Sequence, residues 1–136
     1  MTAEPEVLLY GTEVILLVDD DEMIRVFGKT VLERFGYAVY VASDGFEGLE
    51  ILKRERGRIQ LVVLDLLLPG MSGRDVYDRI REMQADIPIV LTSGLDYNDA
   101  KESFGDLSRE RYIVKPFSIY HLSQAVRHVL DNPYEP

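Results

Sequence analysis

Leu61 to Gly73 reads LVVLDLLLPGMSG. Its first four residues, Leu61 to Leu64, are wholly apolar, the pattern of a strand covered on both faces, although so short a run also fits a turn of buried helix. Pro69 disfavours helical geometry at Leu68, and the Gly-Met-Ser-Gly that follows is loop chemistry. Asp65 is therefore expected just past the carboxyl end of a central strand, the edge where open α/β sheets bind ligands. Taken alone, such an aspartate is more often a turn or cap residue. The rest of the chain decides between the two.

Upstream, Val14 to Val18 (VILLV) is a second buried-type strand, and it ends in Asp19, Asp20, Asp21 and Glu22. From Glu22 to Phe35 the apolar positions Ile24, Phe27, Val31, Leu32 and Phe35 recur at helical spacing, with Gly36 as the stop. Tyr37 to Ala42 has the β-branched and aromatic content of a strand, and Ser43, Asp44 and Gly45 turn the chain into a second helix through Arg54. Gly48 inside that helix costs about 1 kcal/mol against alanine, so either tertiary packing holds the helix or another backbone passes close by, and packing is the favoured reason.

Downstream, Ser72 can cap a third helix with Val76, Ile80 and Met83 inward and Arg74, Asp75, Arg79 and Arg81 in water. Pro88 introduces the strand Ile89 to Leu91, which ends in Thr92, Ser93 and Gly94. Leu95 to Glu110 is the least legible segment, with one short polar helix expected near Asp99 to Phe104. Tyr112 to Val114 is the last strand and runs into Lys115, Pro116 and Phe117. Ser118 then caps a final helix with Ile119, Leu122, Val126, Val129 and Leu130 on one face.

Strands alternating with helices, on connections too long for hairpins, predict an α/β fold with a five-stranded parallel sheet covered on both sides. The expected division is a flexible leader over 1–12, in which Val7 to Tyr10 could extend a strand, a domain over 13–131 and a tail over 132–136. A chain of 136 residues can bury a core without staples, and its lack of cysteine excludes disulfides, zinc-thiolate centres and thiol nucleophiles. Lys and Arg number 15 against 24 Asp and Glu, a net charge of -9, which disfavours attraction to nucleic acid or anionic membranes. With no apolar run near the roughly 18 residues of a membrane span and no signal-peptide pattern, a cytoplasmic protein is expected.

In a parallel sheet the carboxyl ends of all strands share one edge. That edge should collect Asp19 and Asp20, Asp65, Thr92 and Ser93, and Lys115. Clustered carboxylates raise one another's pKa, and a divalent cation relieves the repulsion. Oxygen-only ligands suit magnesium, which uses one or two carboxylates plus substrate phosphate. A carboxylate with metal, lysine and hydroxyl nearby fits phosphoryl transfer, with Asp65 as the nucleophile that forms an acyl phosphate. His121 and His128, seven apart on the final helix, are expected near its surface without a role in this chemistry.

LLVDDDE at 16–22, VVLDLLLPGMSG at 62–73, the Ser93-Gly94 pair and IVKPF at 113–117 resemble the receiver domain of two-component response regulators, over about Val14 to Leu130. The resemblance implies a doubly wound, flavodoxin-like sheet of order 2-1-3-4-5. It implies that Asp65 accepts a phosphoryl group from a histidine on a partner kinase or phosphotransfer domain. It also implies that Asp20, Asp65 and the backbone carbonyl of Leu67 bind magnesium, while Asp19 orients the metal's waters. Lys115 would pair with the phosphoryl oxygens beside a cis bond to Pro116. Ser93 would be the switch hydroxyl, preferred to Thr92 because it directly precedes Gly94, and Tyr112 the aromatic that turns inward behind it. An output partner would then read helix 4, strand 5 and helix 5. Gly105 to Arg111 lacks the Gly-Ala pair many receivers carry. Leu67 and Leu95 stand where receivers that dephosphorylate faster often place polar groups, which implies a long-lived phosphoryl group. The opening LLYGTEVILLVDDDEMIR resembles receivers attached to hybrid sensor kinases. Two other readings compete: a magnesium-dependent phosphatase with an aspartyl nucleophile, which would usually carry an acid where Leu67 stands, and a pseudo-receiver that never accepts phosphate, against which the intact acids and Lys115 argue.

Overall fold

The structure, a computed structural model, describes residues 9–133. Five strands, β1 (Val14–Val18), β2 (Ala38–Ala42), β3 (Leu61–Asp65), β4 (Ile89–Ser93) and β5 (Tyr112–Val114), alternate with five helices. The helices are α1 (Glu22–Arg34), α2 (Gly45–Arg54), α3 (Gly73–Met83), α4 (Tyr97–Phe104) and α5 (Ile119–Asp131). The sheet is parallel throughout, in the order β2-β1-β3-β4-β5, the doubly wound fold expected from the resemblance.

Strand alternation divides the core into two layers. Ile15 and Leu17 of β1, Leu61 and Val63 of β3 and Val90 of β4 pack against Val31 and Leu32 of α1 and Leu122, Val126 and Val129 of α5. Leu16, Val18, Val62, Leu64, Ile89 and Leu91 point the other way, onto Ile51 and Leu52 of α2, Val76 and Ile80 of α3 and Phe104 of α4. Burial on both faces is why β3 and β4 carry almost no polar residue until their last positions.

Each helix begins on a side chain that accepts one of its orphan amides: Asp21, Asp44, Ser72, Asp96 and Ser118. A Cβ at Gly48 would stand 3.0 and 3.4 Å from the methyls of Val18, so close packing of α2 on β1 accounts for that glycine.

Several boundaries differ from the sequence expectation. α1 ends at Arg34, with Phe35 capping it, and β2 begins at Ala38. β3 includes Asp65, and β4 continues through Thr92 and Ser93, because Asp65 pairs with Thr92 in the ladder and Ser93 with Val114. α4 starts two residues before Asp99 because Asp96, not a later residue, supplies the cap. Ile119, expected on the inward face of α5, is 42% exposed, whereas Leu122, Val126 and Val129 of the same helix are buried. Arg81, expected in water, is half-buried and donates to the Ile87 carbonyl. Of the strand extension considered at Val7 to Tyr10, Val7 and Leu8 lie outside the described residues, and Leu9 and Tyr10 form no strand.

Candidate functional site

The carboxyl ends of β1, β3, β4 and β5 deliver polar side chains to one edge of an otherwise apolar sheet. Asp19 follows β1, its amide bonded to the Ala42 carbonyl of β2, and its side chain is 1% exposed. Asp65 closes β3 at 3% exposure, while Asp20, turned outward, is exposed. Lys115 follows β5, anchored through its amide on the Ser93 carbonyl, and reaches back across β4.

Its ammonium bridges two carboxylates, 2.6 Å from Asp19 Oδ2 and 2.8 Å from Asp65 Oδ2. The other oxygens of these acids are held by the turns that follow them: the Asp21 amide donates to Asp19 Oδ1, and the Leu67 amide to Asp65 Oδ1, each at 2.9 Å. Gly73 lets α3 start against this turn, its amide bonded to the Leu66 carbonyl. The Lys115-Pro116 peptide bond is cis, as the resemblance implied.

Burial pushes the Asp65 carboxyl above its ordinary range, against the pull of Lys115 and the Leu67 amide, with the Asp19 charge adding to the rise. Burial also works against the charge on Lys115, but its hydrogen bonds to Asp19 and Asp65 prevail and hold the ammonium above its usual range. One oxygen each from Asp19, Asp20 and Asp65 lies within 4.8 Å of the others, a hard-oxygen cluster able to hold a metal ion.

Beside the acids, Ser93 Oγ and the Tyr112 hydroxyl stand 2.6 Å apart. The Leu95 amide donates to Ser93 Oγ at 3.1 Å, and the Tyr112 hydroxyl also donates to the Leu95 carbonyl. Tyr112 is thus turned inward, 7% exposed, and its hydroxyl is held up by burial. Thr92 is buried next to Ser93, in register with Asp65. Leu67 is 62% exposed. His121 is exposed and His128 half-buried on α5, outside the acidic cluster.

One neighbour of the site escaped the sequence reading. Arg25, on α1, donates from Nη1 to the Asp19 carbonyl at 2.8 Å. Its only signal in the sequence is a basic residue one helical turn after the cap Asp21.

Comparison with known proteins agrees with this geometry. Residues 15–127 match the response regulator receiver domain family. The chain is 40% identical over 118 residues to the probable transcriptional regulator ycf27 of Porphyridium aerugineum, covering 87% of this chain and 48% of that protein. It is 30% identical over 123 residues to the sensor kinase CckA of Brucella abortus, covering 90% of this chain and 13% of the kinase. The chain therefore spans half or less of the length of these relatives. Among solved structures, a response regulator receiver domain protein from Clostridium thermocellum superposes with a TM-score of 0.76 at 27% identity, covering 88% of this chain and 95% of that one. A response regulator from Chloroflexus aurantiacus, described as putative, gives 0.79 at 27% identity, covering 89% and 99%. Among the described residues no helix is long and apolar enough to cross a membrane. With the fold, the strand-end acids and these matches in agreement, the chain belongs to the receiver domain family of two-component response regulators.

Proposed function

We propose that this chain, over 13–131, is a cytoplasmic phosphorelay receiver that takes a phosphoryl group onto Asp65 from a phosphohistidine of a partner histidine kinase or histidine phosphotransfer domain. The observation that carries this reading is Lys115, whose ammonium joins Asp19 and Asp65 at the sheet edge. The chain is a regulatory phosphoacceptor, not a turnover enzyme.

In the reaction an Asp65 carboxylate oxygen attacks phosphorus in line. The new O–P bond forms as the N–P bond to the donor imidazole breaks, and the leaving nitrogen keeps the electron pair and takes up a proton. The Leu67 amide on Oδ1 fixes the carboxyl group's rotation, so Oδ2 is the freer nucleophile once Lys115 shifts onto the incoming phosphoryl oxygens. Lys115 then neutralises charge that grows on the phosphoryl group during transfer. The hard-oxygen cluster fits magnesium, which Asp20, Asp65 and the Leu67 backbone carbonyl would hold, with Asp19 orienting its waters, and which would supply further charge neutralisation at the phosphoryl oxygens.

Ser93 would follow the phosphoryl group as the switch hydroxyl, and Tyr112, already bonded to it, would adjust behind it. Because Tyr112 also holds the Leu95 carbonyl ahead of α4, a shift of Ser93 transmits to the face formed by α4, β5 and α5, where an output partner would bind. The response is a population shift between two packings, driven by their different contacts with the acyl phosphate.

The test is intact mass after incubation with magnesium and acetyl phosphate, run beside Asp65→Asn. One phosphoryl adduct that needs magnesium and disappears in the variant is expected. Absence of any adduct on the wild type overturns the reading.

A further inference from the structure

Asp20 is the one exposed member of the acidic cluster, and it lies in the short turn between β1 and α1. An exposed turn residue loses its geometry easily, since few buried contacts oppose local opening. Yet the turn on either side of Asp20 is gripped by a single residue. The Arg25 amide donates to the Asp21 carbonyl at 3.0 Å, and Arg25 Nη1 donates to the Asp19 carbonyl at 2.8 Å. Backbone and side chain of Arg25 thus close around Asp20, fixing the carbonyls of both its neighbours. The Asp21 amide, bonded to Asp19 Oδ1, completes the loop from inside.

The backbone half of this grip belongs to any helix start, whereas the guanidinium half is specific to this residue type. A half-buried arginine reaching back six residues to a strand-end carbonyl removes that acceptor's freedom to rotate with the turn. The charge of Arg25 acts in the opposite direction, because a cation near three carboxylates disfavours a second cation there. Geometry and electrostatics therefore predict opposite signs for its removal.

We propose that Arg25 is a positioning residue for the cation site, holding the β1–α1 turn in the form that presents Asp20 beside Asp19 and Asp65. The proposal rests on the receiver reading above for the identity of the cation. Outer partners that orient ligands typically affect metal affinity by about 10- to 100-fold, and the low end applies here because Arg25 acts through the backbone.

The experiment compares wild type, Arg25→Met and Arg25→Lys by two readouts: hydrogen exchange of the Asp21 amide in metal-free protein, and magnesium chloride titration followed by amide chemical shifts. In Arg25→Met, exchange at the Asp21 amide, which is bonded to Asp19 Oδ1, should rise about tenfold while the β3 amides stay protected, and magnesium affinity should fall about tenfold. Arg25→Lys, which can still reach a carbonyl, should stay within about threefold of wild type on both. Unchanged exchange in Arg25→Met, or magnesium affinity that is unchanged or tighter, overturns the proposal. If wild type itself fails to bind magnesium, the receiver reading loses its metal. Exchange at the Asp21 amide then decides the role of Arg25 alone, and wild-type exchange in Arg25→Met refutes it.

Discussion

Replacing Asp65 with asparagine should raise the stability of the metal-free protein at neutral pH. Asp65 is 3% exposed, and burial holds its carboxyl above the ordinary range despite Lys115. A folded-state pKa above the unfolded value of about 3.9 means the native protein favours the protonated form, so the ionised form destabilises the fold. That penalty is absent well below the unfolded pKa and grows to full size as pH rises through the folded one. Asparagine keeps the shape without the charge, and Lys115 is not stranded, because Asp19 remains 2.6 Å from its nitrogen. Replacing a whole buried ion pair by neutral groups stabilises by about 1 to 4 kcal/mol, and neutralising one acid while the Lys115–Asp19 pair persists should give the low end, about 1 to 2 kcal/mol. For 136 residues the unfolding entropy is about 0.3 kcal/mol/K, so Asp65→Asn should melt about 4 to 7 °C above wild type at pH 7.5, with the gap closing toward pH 3.5. Lys115→Met is the counterpart, leaving Asp19 and Asp65 facing each other without a cation, and should lose about 3 kcal/mol at pH 7.5, melting about 10 °C below wild type. Thermal melts by circular dichroism in chelator, across pH 3.5 to 7.5, measure both. A lower melting point for Asp65→Asn at pH 7.5 would refute the reasoning, since attraction to Lys115 would then exceed the burial penalty.

Glu13 is held down to about 2 chiefly by its hydrogen bond to Arg127, so its contribution is present above the unfolded value of 4.5 and is lost as pH falls toward 2. Glu13→Gln should therefore cost about 1 kcal/mol in urea unfolding at pH 7, with most of that cost gone by about pH 2. A Cβ at Gly73 would meet Leu66 Cα at 2.4 Å and the Leu66 and Asp65 carbonyl oxygens at 2.6 and 2.8 Å, all backbone that cannot rotate away. Gly73→Ala should cost about 3 kcal/mol in the same assay and slow phosphoryl uptake by displacing the turn that holds Asp65. With Leu67 and Leu95 offering no polar side chain to an attacking water, the phosphoryl group on the isolated protein should persist beyond minutes by intact mass, and hydrolysis within minutes would contradict this.

The sheet was legible because apolar runs buried on both faces leave little else for VILLV at 14–18 or LVVL at 61–64 to be, and because each run stops at a polar residue. The same stops located the site: in a parallel sheet, strand ends are neighbours however far apart they lie in the chain. What escaped were features set by contacts across elements. α4 was misplaced by two residues because Asp96 is one of several turn-forming residues before it, and only the folded chain selects the amide it accepts. Ile119 has the periodicity of a core residue, yet it is the first residue of α5, directly after the cap Ser118, and is left 42% exposed. Arg25 leaves no more in the sequence than a basic residue one turn past the cap, because its partner is a backbone carbonyl, which no side-chain pattern encodes.

Borohydride reduction after phosphorylation by acetyl phosphate and magnesium, followed by peptide mapping, tests the central claim most directly, because it converts an aspartyl phosphate into homoserine at the residue that carried it. Homoserine at position 65 alone is predicted. Homoserine at Asp19 or Asp20, or at no aspartate, would contradict the assignment of Asp65 as the phosphoryl acceptor.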